Sequence, residues 1–156
     1  MRATLQRIRH DRSPFNKPAR GAGWKFVLPE EAHEGVVCGP QLSVHGAIQM
    51  THGLDAARQD ICLLLGTRPG ERVMRPEYGC DLQRLVFASN DDTTAGLAIH
   101  YVKRALDRWE PRIEVMRVDA RRDPQRAEVL VIEIEYRLRA TRERDTLAHP
   151  LNLHGD

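Results

Sequence analysis

Two stretches of the chain repeat apolar side chains at intervals of three and four residues, and each predicts a helix. In the first, Leu54, Ala57, Ile61, Leu64 and Leu65 fall on one stripe. Thr51 is its expected N-cap, Asp55 adds negative charge near its start, and Gly66 is expected to supply the C′ position. In the second, Ala95, Ile99, Val102, Leu106 and Trp109 keep the same spacing behind the entrance Ser89-Asn90-Asp91-Asp92. Pro111 disfavours helical geometry at Glu110 and closes it. Between the two, Leu82, Leu85, Val86 and Phe87 form an apolar patch that suits a short turn of helix.

After Pro111 the period falls to two. Ile113 to Ala120 is rich in β-branched residues, Asp123-Pro124 supplies turn chemistry, and Glu128 to Arg139 returns. In that return strand Leu130, Ile132, Ile134, Tyr136 and Leu138 share one face, while Val131, Glu133, Glu135, Arg137 and Arg139 share the other. The alternation predicts a half-solvated antiparallel strand. Thr146 to Leu153 alternates through Leu147, His149, Leu151 and Leu153 and adds a third strand candidate. Shorter strand patterns lie at Trp24 to Leu28, ended by Pro29, and at Ala47 to Met50, with a polar, turn-like segment from Glu30 to Pro40. Together these elements predict an α+β fold, two main helices packed on a small antiparallel sheet formed largely by the C-terminal third. At 156 residues the chain is about one domain long. Its expected division is a basic, flexible or partner-ordered arm over residues 1–23 and a single domain over residues 24–156.

Composition narrows the function classes. Apolar residues make up 41% and charged residues 29%, no run approaches the roughly 18 apolar residues of a membrane span, and the basic start lacks the apolar region of a secretory signal. The expected site of synthesis is therefore the cytoplasm, without membrane insertion. The 24 basic and 22 acidic residues nearly cancel, which argues against a general nucleic-acid or membrane-surface binder. Three cysteines, Cys38, Cys62 and Cys80, cannot all pair within one chain and are expected as reduced thiols, with Cys62 packed on a helix. His33, Cys38, His45 and His52 are close in sequence but lack zinc-finger spacing, so neither a metal nor another cofactor is expected.

The candidate chemistry sits at two charged, proline-locked corners. One is the loop from Gly66 to Gly79, punctuated by Pro69, Gly70 and Pro76 and carrying Arg68, Glu71, Arg72, Arg75 and Glu77. That many charges are exposed, paired with one another, or paired across an interface, because an isolated buried ion costs several kcal/mol. Tyr78 is expected as a packed aromatic. The other corner is Glu110-Pro111-Arg112, where proline fixes the relation of two charges. It is either a docking fork for another chain or an internal brace against Arg72 or Glu71. The strand bearing Val131, Glu133 and Glu135 is a candidate for strand addition if it forms an edge; if it is central, Thr146 to Leu153 is the edge.

In their order and separation, three signals resemble one family. They are the apolar helix running into Leu65-Gly66-Thr67-Arg68-Pro69-Gly70-Glu71-Arg72, the continuation Met74-Arg75-Pro76-Glu77-Tyr78-Gly79, and Glu110-Pro111-Arg112 after a long helix. The chain over about Gly46 to Leu153 resembles the baseplate wedge family of contractile injection machines, found in phage tails, type VI secretion baseplates and extracellular injection systems. The resemblance implies a structural wedge component, in six copies, bridging the wedge core to the first sheath ring. Its implied partners are core-bundle proteins at the Glu110-Pro111-Arg112 corner, sheath subunits at a sheet edge, and hub, spike or inner-tube proteins.

The enzymatic rival is a lysozyme-like glycoside hydrolase acting on peptidoglycan, a label that travels with this family. That chemistry needs two carboxylates about 5 to 9.5 Å apart, one of them a proton donor. Glu71, Glu77, Asp81 and Glu110 are available, but each except Asp81 has an arginine within two residues, which favours the ionised form. The expectation is a protein without catalytic residues.

Overall fold

The structure is a computed structural model, described here for residues 22–27 and 39–154. The arm through residue 21, Leu28 and Pro29, the turn-like segment up to Cys38, and His33 lie outside the described residues. Ala22 and Gly23, assigned to the arm by sequence, stand in the first strand.

The chain opens with short strands, β1 (Ala22–Trp24), β2 (Phe26–Val27), β3 (Gly39–Pro40) and β4 (Met50–His52). β1 pairs antiparallel with β4, and β2 with β3. A Leu42 to Ile48 bridge closes the hairpin between β3 and β4. The Ala47 to Met50 candidate is thus split between that bridge and β4. These strands are fastened to the domain by one side chain that the apolar pattern did not single out. The buried Gln59 donates to the Trp24 carbonyl (2.6 Å) and accepts from the Phe26 N–H (2.9 Å).

Helix α1 (Gly53–Gly66) follows β4 directly. Thr51 is not its cap: it is buried in β4 opposite Gly23, and His52 takes the N-cap position without a side-chain cap bond. The turn from strand to helix falls on Gly53, at φ +63°. The far end also differs from expectation. Gly66 is the last helical residue and not a left-handed C′, because Thr67 ends the helix in an extended conformation. The Thr67 hydroxyl donates to the Leu63 carbonyl (2.6 Å), which satisfies an orphan acceptor without a left-handed residue.

A 3₁₀ turn, Asp81–Leu85, buries Leu82 and Leu85 and leaves Phe87 exposed. Helix α2 (Asp92–Trp109) starts as expected, with the Asp91 carboxylate accepting from the Thr94 N–H (2.8 Å). That bond holds the Asp91 pKa below the ordinary carboxylate value. Its buried face is turned toward the small residues Thr94, Ala98 and Ala105 beside Val102 and Leu106, leaving Ala95, Ile99 and Trp109 on the flank. Small side chains there let the helix approach its neighbours closely.

The last third is a three-stranded antiparallel sheet, β5 (Ile113–Arg122), β6 (Val129–Leu138) and β7 (Arg144–Asn152), in the order β5-β6-β7. Ile134 lies between Val118 and Leu147, and a bulge at Met116 breaks the β5 register. The faces of β6 are those the alternation predicts: Leu130, Ile132, Ile134, Tyr136 and Leu138 join Ile61, Leu64, Leu65, Val102 and Leu106 in one core. Tyr136 is fully buried, and its hydroxyl donates to Asp145 (2.8 Å). Burial and that carboxylate both push its pKa up.

Candidate docking surface

Both charged corners lie at the end of the fold where the two helices terminate. Glu110 caps α2, with its N–H donating to the Leu106 carbonyl (2.9 Å) and its carbonyl accepting from the Ile113 N–H (3.3 Å). Its carboxylate is buried and takes a fork from Arg112, Nε to Oε1 at 2.5 Å and Nη2 to Oε2 at 2.7 Å. Arg112 also reaches Asp60 on α1, so one guanidinium ties together α1, the end of α2 and the start of β5. These hydrogen bonds hold the Arg112 pKa above its ordinary value, that to Glu110 foremost. On the other side of the corner, Arg139 Nε donates to the Pro111 and Ile113 carbonyls, both at 3.1 Å.

The corner is therefore braced internally, as one of the two sequence readings held, but by Asp60 and not by Arg72 or Glu71. Asp60 carries no pattern signal, since its role depends on the packing of α1 against residues about fifty positions away. With the Glu110 carboxylate consumed in the brace, the corner presents Pro111 and the open edge of a guanidinium that is 36% exposed.

The Gly66 to Gly79 loop is built from successive hydrogen-bonded turns. Gly70 N–H donates to the Pro76 carbonyl (2.7 Å), Arg75 N–H to Arg72 (3.2 Å), and Tyr78 N–H to Arg75 (3.0 Å). Its base is tied by Cys80 N–H to the Thr67 carbonyl (2.9 Å). That closure needs glycine at 79: φ is +132°, and a Cβ would stand 2.4 Å from the Thr67 oxygen. Cys80 itself is buried, which pushes its thiol up to about 11. Cys62 is buried on α1, as expected.

The loop charges are largely spoken for. Arg68 donates to Gln83 (3.0 Å) through its guanidinium and to Glu71 (3.0 Å) through its backbone N–H, and Glu77 pairs with Arg108 of α2. Arg72 lies over the Tyr78 ring at 4.0 Å, and Tyr78 packs against Trp109 at 5.3 Å between ring centres. Tyr78 is thus the packed aromatic the sequence predicts. It also joins the loop to the Glu110-Pro111-Arg112 corner, a link no spacing revealed. Arg75 is exposed.

Strand β6 is not an edge. Val131 sits between Arg121 and Pro150, Glu133 between Asp119 and Ala148, and Glu135 between Arg117 and Thr146, so main-chain addition at this strand is closed. The side chains of Glu133 and Glu135 stay on the outer face, where Glu133 pairs with Arg121. The sheet borders are β5 and β7, as the alternative reading had it for Thr146 to Leu153.

Hollows flank the loop. One, of about 610 Å³, is lined by Gly66, Arg68, Pro69, Gly70, Glu71 and Gln83. A second, of about 430 Å³, includes Glu77, Asp81, Tyr101 and Trp109. Its carboxylates are engaged, Glu77 by Arg108 and Asp81 by Arg104 (2.5 Å) and Arg84 (3.1 Å). Among the described residues no group of three or more His, Cys, Asp or Glu is placed to hold a metal ion, and no helix is long and apolar enough to cross a membrane.

The fold and these braced corners define a small α+β module whose distinctive residues are arranged as rigid surface features. Residues 51–143 match the family described as baseplate wedge protein gp25, and the chain belongs to that family. The match makes residues 51–143 a baseplate wedge domain. It is 31% identical over 67 residues to the baseplate wedge protein gp25 of Enterobacteria phage T4; the match covers 43% of this chain and about half (51%) of that protein. Among solved structures, a candidate tail lysozyme from Geobacter sulfurreducens is 43% identical with a TM-score of 0.56, over 66% of this chain and 96% of that one. A chain of the anti-feeding prophage baseplate shares the fold at 23% identity and a TM-score of 0.54, over 73% of this chain and 80% of that one.

Proposed function

We propose that this chain bridges the core of a baseplate wedge to the first sheath ring, in six copies. The Glu110-Pro111-Arg112 corner meets the helical core bundle, and a border of the β5-β6-β7 sheet takes up strands from sheath subunits. Arg68, Glu71, Arg72, Arg75 and Glu77 extend the contact surface beside the corner. The observation that carries this reading is the corner itself. Two carboxylates from separate elements fix one arginine beside an exposed proline, which presents donors to another chain at little entropic cost.

The reading also makes the chain a scaffold and not a hydrolase. Glu71, Glu77, Asp81 and Glu110 each serve as acceptors for an arginine side chain or a backbone N–H. The hollow holding Glu77, Asp81, Tyr101 and Trp109 is the feature that favours the cell-wall alternative. Release of peptidoglycan fragments by the purified chain, lost in Glu77→Gln or Asp81→Asn, would establish that alternative. For the scaffold, Arg112→Ala in a producing strain is expected to abolish particle assembly, scored by electron microscopy. Normal particle yield would overturn the docking role of the corner.

A further inference from the structure

The tip of the Gly66 to Gly79 loop carries two large apolar side chains in water. Val73 is 91% exposed and Met74 93%. They are the central residues of the turn closed by Arg75 N–H on the Arg72 carbonyl, and Met74 is held at φ +68°. The third position of such a turn favours glycine or asparagine, because a side chain there crowds the backbone. This loop does place glycine where it needs one: Gly70 takes φ +94° and Gly79 φ +132°. At Met74 it accepts the strain and the exposure together. Neither serves the monomer, since a side chain this exposed has almost nothing to pack against. Strain held at an exposed position by a rigid surround is a mark of a site shaped for contact.

The surround is rigid, and the two charges that bracket the apolar pair directly are both positive. Hydrogen bonds from Gly70, Arg75 and Tyr78 fix the backbone on both sides of the tip, so little freedom remains to be lost on docking. Arg72 and Arg75 bracket the apolar pair, and neither forms an ion pair among the described residues. Arg72 is steadied over Tyr78 instead. The acidic residues of the loop are used elsewhere, Glu71 on the Arg68 backbone and Glu77 on Arg108.

We infer that Val73 and Met74 form a preformed apolar plug that enters a carboxylate-rimmed hydrophobic pocket on a neighbouring baseplate protein. The plug supplies affinity by burial, and Arg72 and Arg75 supply orientation by meeting the acidic rim. The arginines of this loop thus act as the collar of an apolar anchor. The inference goes beyond the corner contact and rests on the baseplate reading for the identity of the partner and the choice of probe.

The probe is a preparation of baseplates from a strain lacking this subunit, to which purified chain is added; the half-saturating concentration for uptake is measured. Met74→Gly supplies the residue the turn favours while deleting the side chain. It is expected to leave the thermal midpoint unchanged or higher and to weaken uptake by about tenfold or more, the range for losing one large buried apolar contact. Met74→Leu keeps the volume and is expected to retain uptake within a few-fold. Arg75→Glu is expected to weaken uptake most at low salt. Unchanged uptake of Met74→Gly, in an assay where the Arg112→Ala variant still fails, overturns the plug and leaves the wedge role standing. A lowered midpoint for Met74→Gly would assign the side chain to the monomer and also overturn it. So would a wild-type dimer in gel filtration that Met74→Gly abolishes, since the occupant would then be a second copy of this chain.

Discussion

Replacing Arg112 tests folding and assembly together, and the geometry lets the two be separated. The guanidinium satisfies a Glu110 carboxylate that is only 7% exposed and also reaches Asp60. Breaking a buried ion pair by removing one partner costs about 3 to 5 kcal/mol, because the remaining charge stays buried and uncompensated. Arg112 is 36% exposed, so solvent already screens part of the interaction and can reach the vacated space. The expected loss for Arg112→Ala is therefore about 2 kcal/mol, or about 6 °C in thermal midpoint for a domain of this size. Replacing Glu110 as well, in Glu110→Leu with Arg112→Met, removes the buried stranded charge and leaves only Asp60, which is 33% exposed and open to solvent. Apolar replacement of a buried pair is often neutral, so that double variant is expected to recover most of the midpoint. If the corner also docks, the recovered variant still fails to enter particles. The measurements are differential scanning calorimetry and particle yield. An Arg112→Ala chain as stable as the wild type would refute the brace; a double variant that assembles normally would refute the docking.

Gly79→Ala should destabilise the chain by about 2 to 4 kcal/mol, read as a lower urea midpoint, because the added Cβ meets the Thr67 carbonyl and the backbone is left-handed; an unchanged midpoint would mean the loop base is not closed as described. The lowered pKa values of Asp91, Glu114 and Asp123 give an acid limit. Their contribution is complete above the ordinary carboxylate values and is lost as pH falls through the depressed ones, so stability should drop below about pH 4, and Asp91→Ala should flatten part of that slope. A pH-independent midpoint between 5 and 2 would contradict it. On β7, Leu153 N–H donates to the Glu128 carbonyl in register, so odd-numbered residues bond β6 and even-numbered ones face the open border, where Pro150 is already tolerated. Thr146→Pro should then fold but fail to prime sheath assembly, whereas Leu147→Pro should not fold; normal sheath growth from Thr146→Pro would exclude β7 as the recruiting border.

Much of the architecture was legible because it rests on local periodicity. Helix α2, its entrance at Ser89-Asn90-Asp91-Asp92 and the two faces of β6 follow from side chains whose partners are close in sequence or share a face. What escaped was set by tertiary geometry. Thr51 has the chemistry of a cap, yet strand pairing to Gly23 claimed it and the helix began on a left-handed glycine. Gly66 suited a helix stop, but the hydroxyl of Thr67 made that stop unnecessary. At the candidate site the corner and the loop were readable as charged and proline-locked. Their connections through Asp60, Tyr78 and Trp109 span separations no motif encodes. The position of β6 within the sheet was open for the same reason, since alternation reports which faces are wet and not how many neighbours a strand has.

The fastening of the first strands by Gln59 has a mechanical consequence. Tension applied at Ala22 is resisted by one amide and a few main-chain bonds, while the helices and the large sheet are locked by a continuous core. Under load, the leading segment would peel away first and leave the body of the subunit seated. A pulling force on the chain from its N-terminal side is released at that junction before it reaches the core.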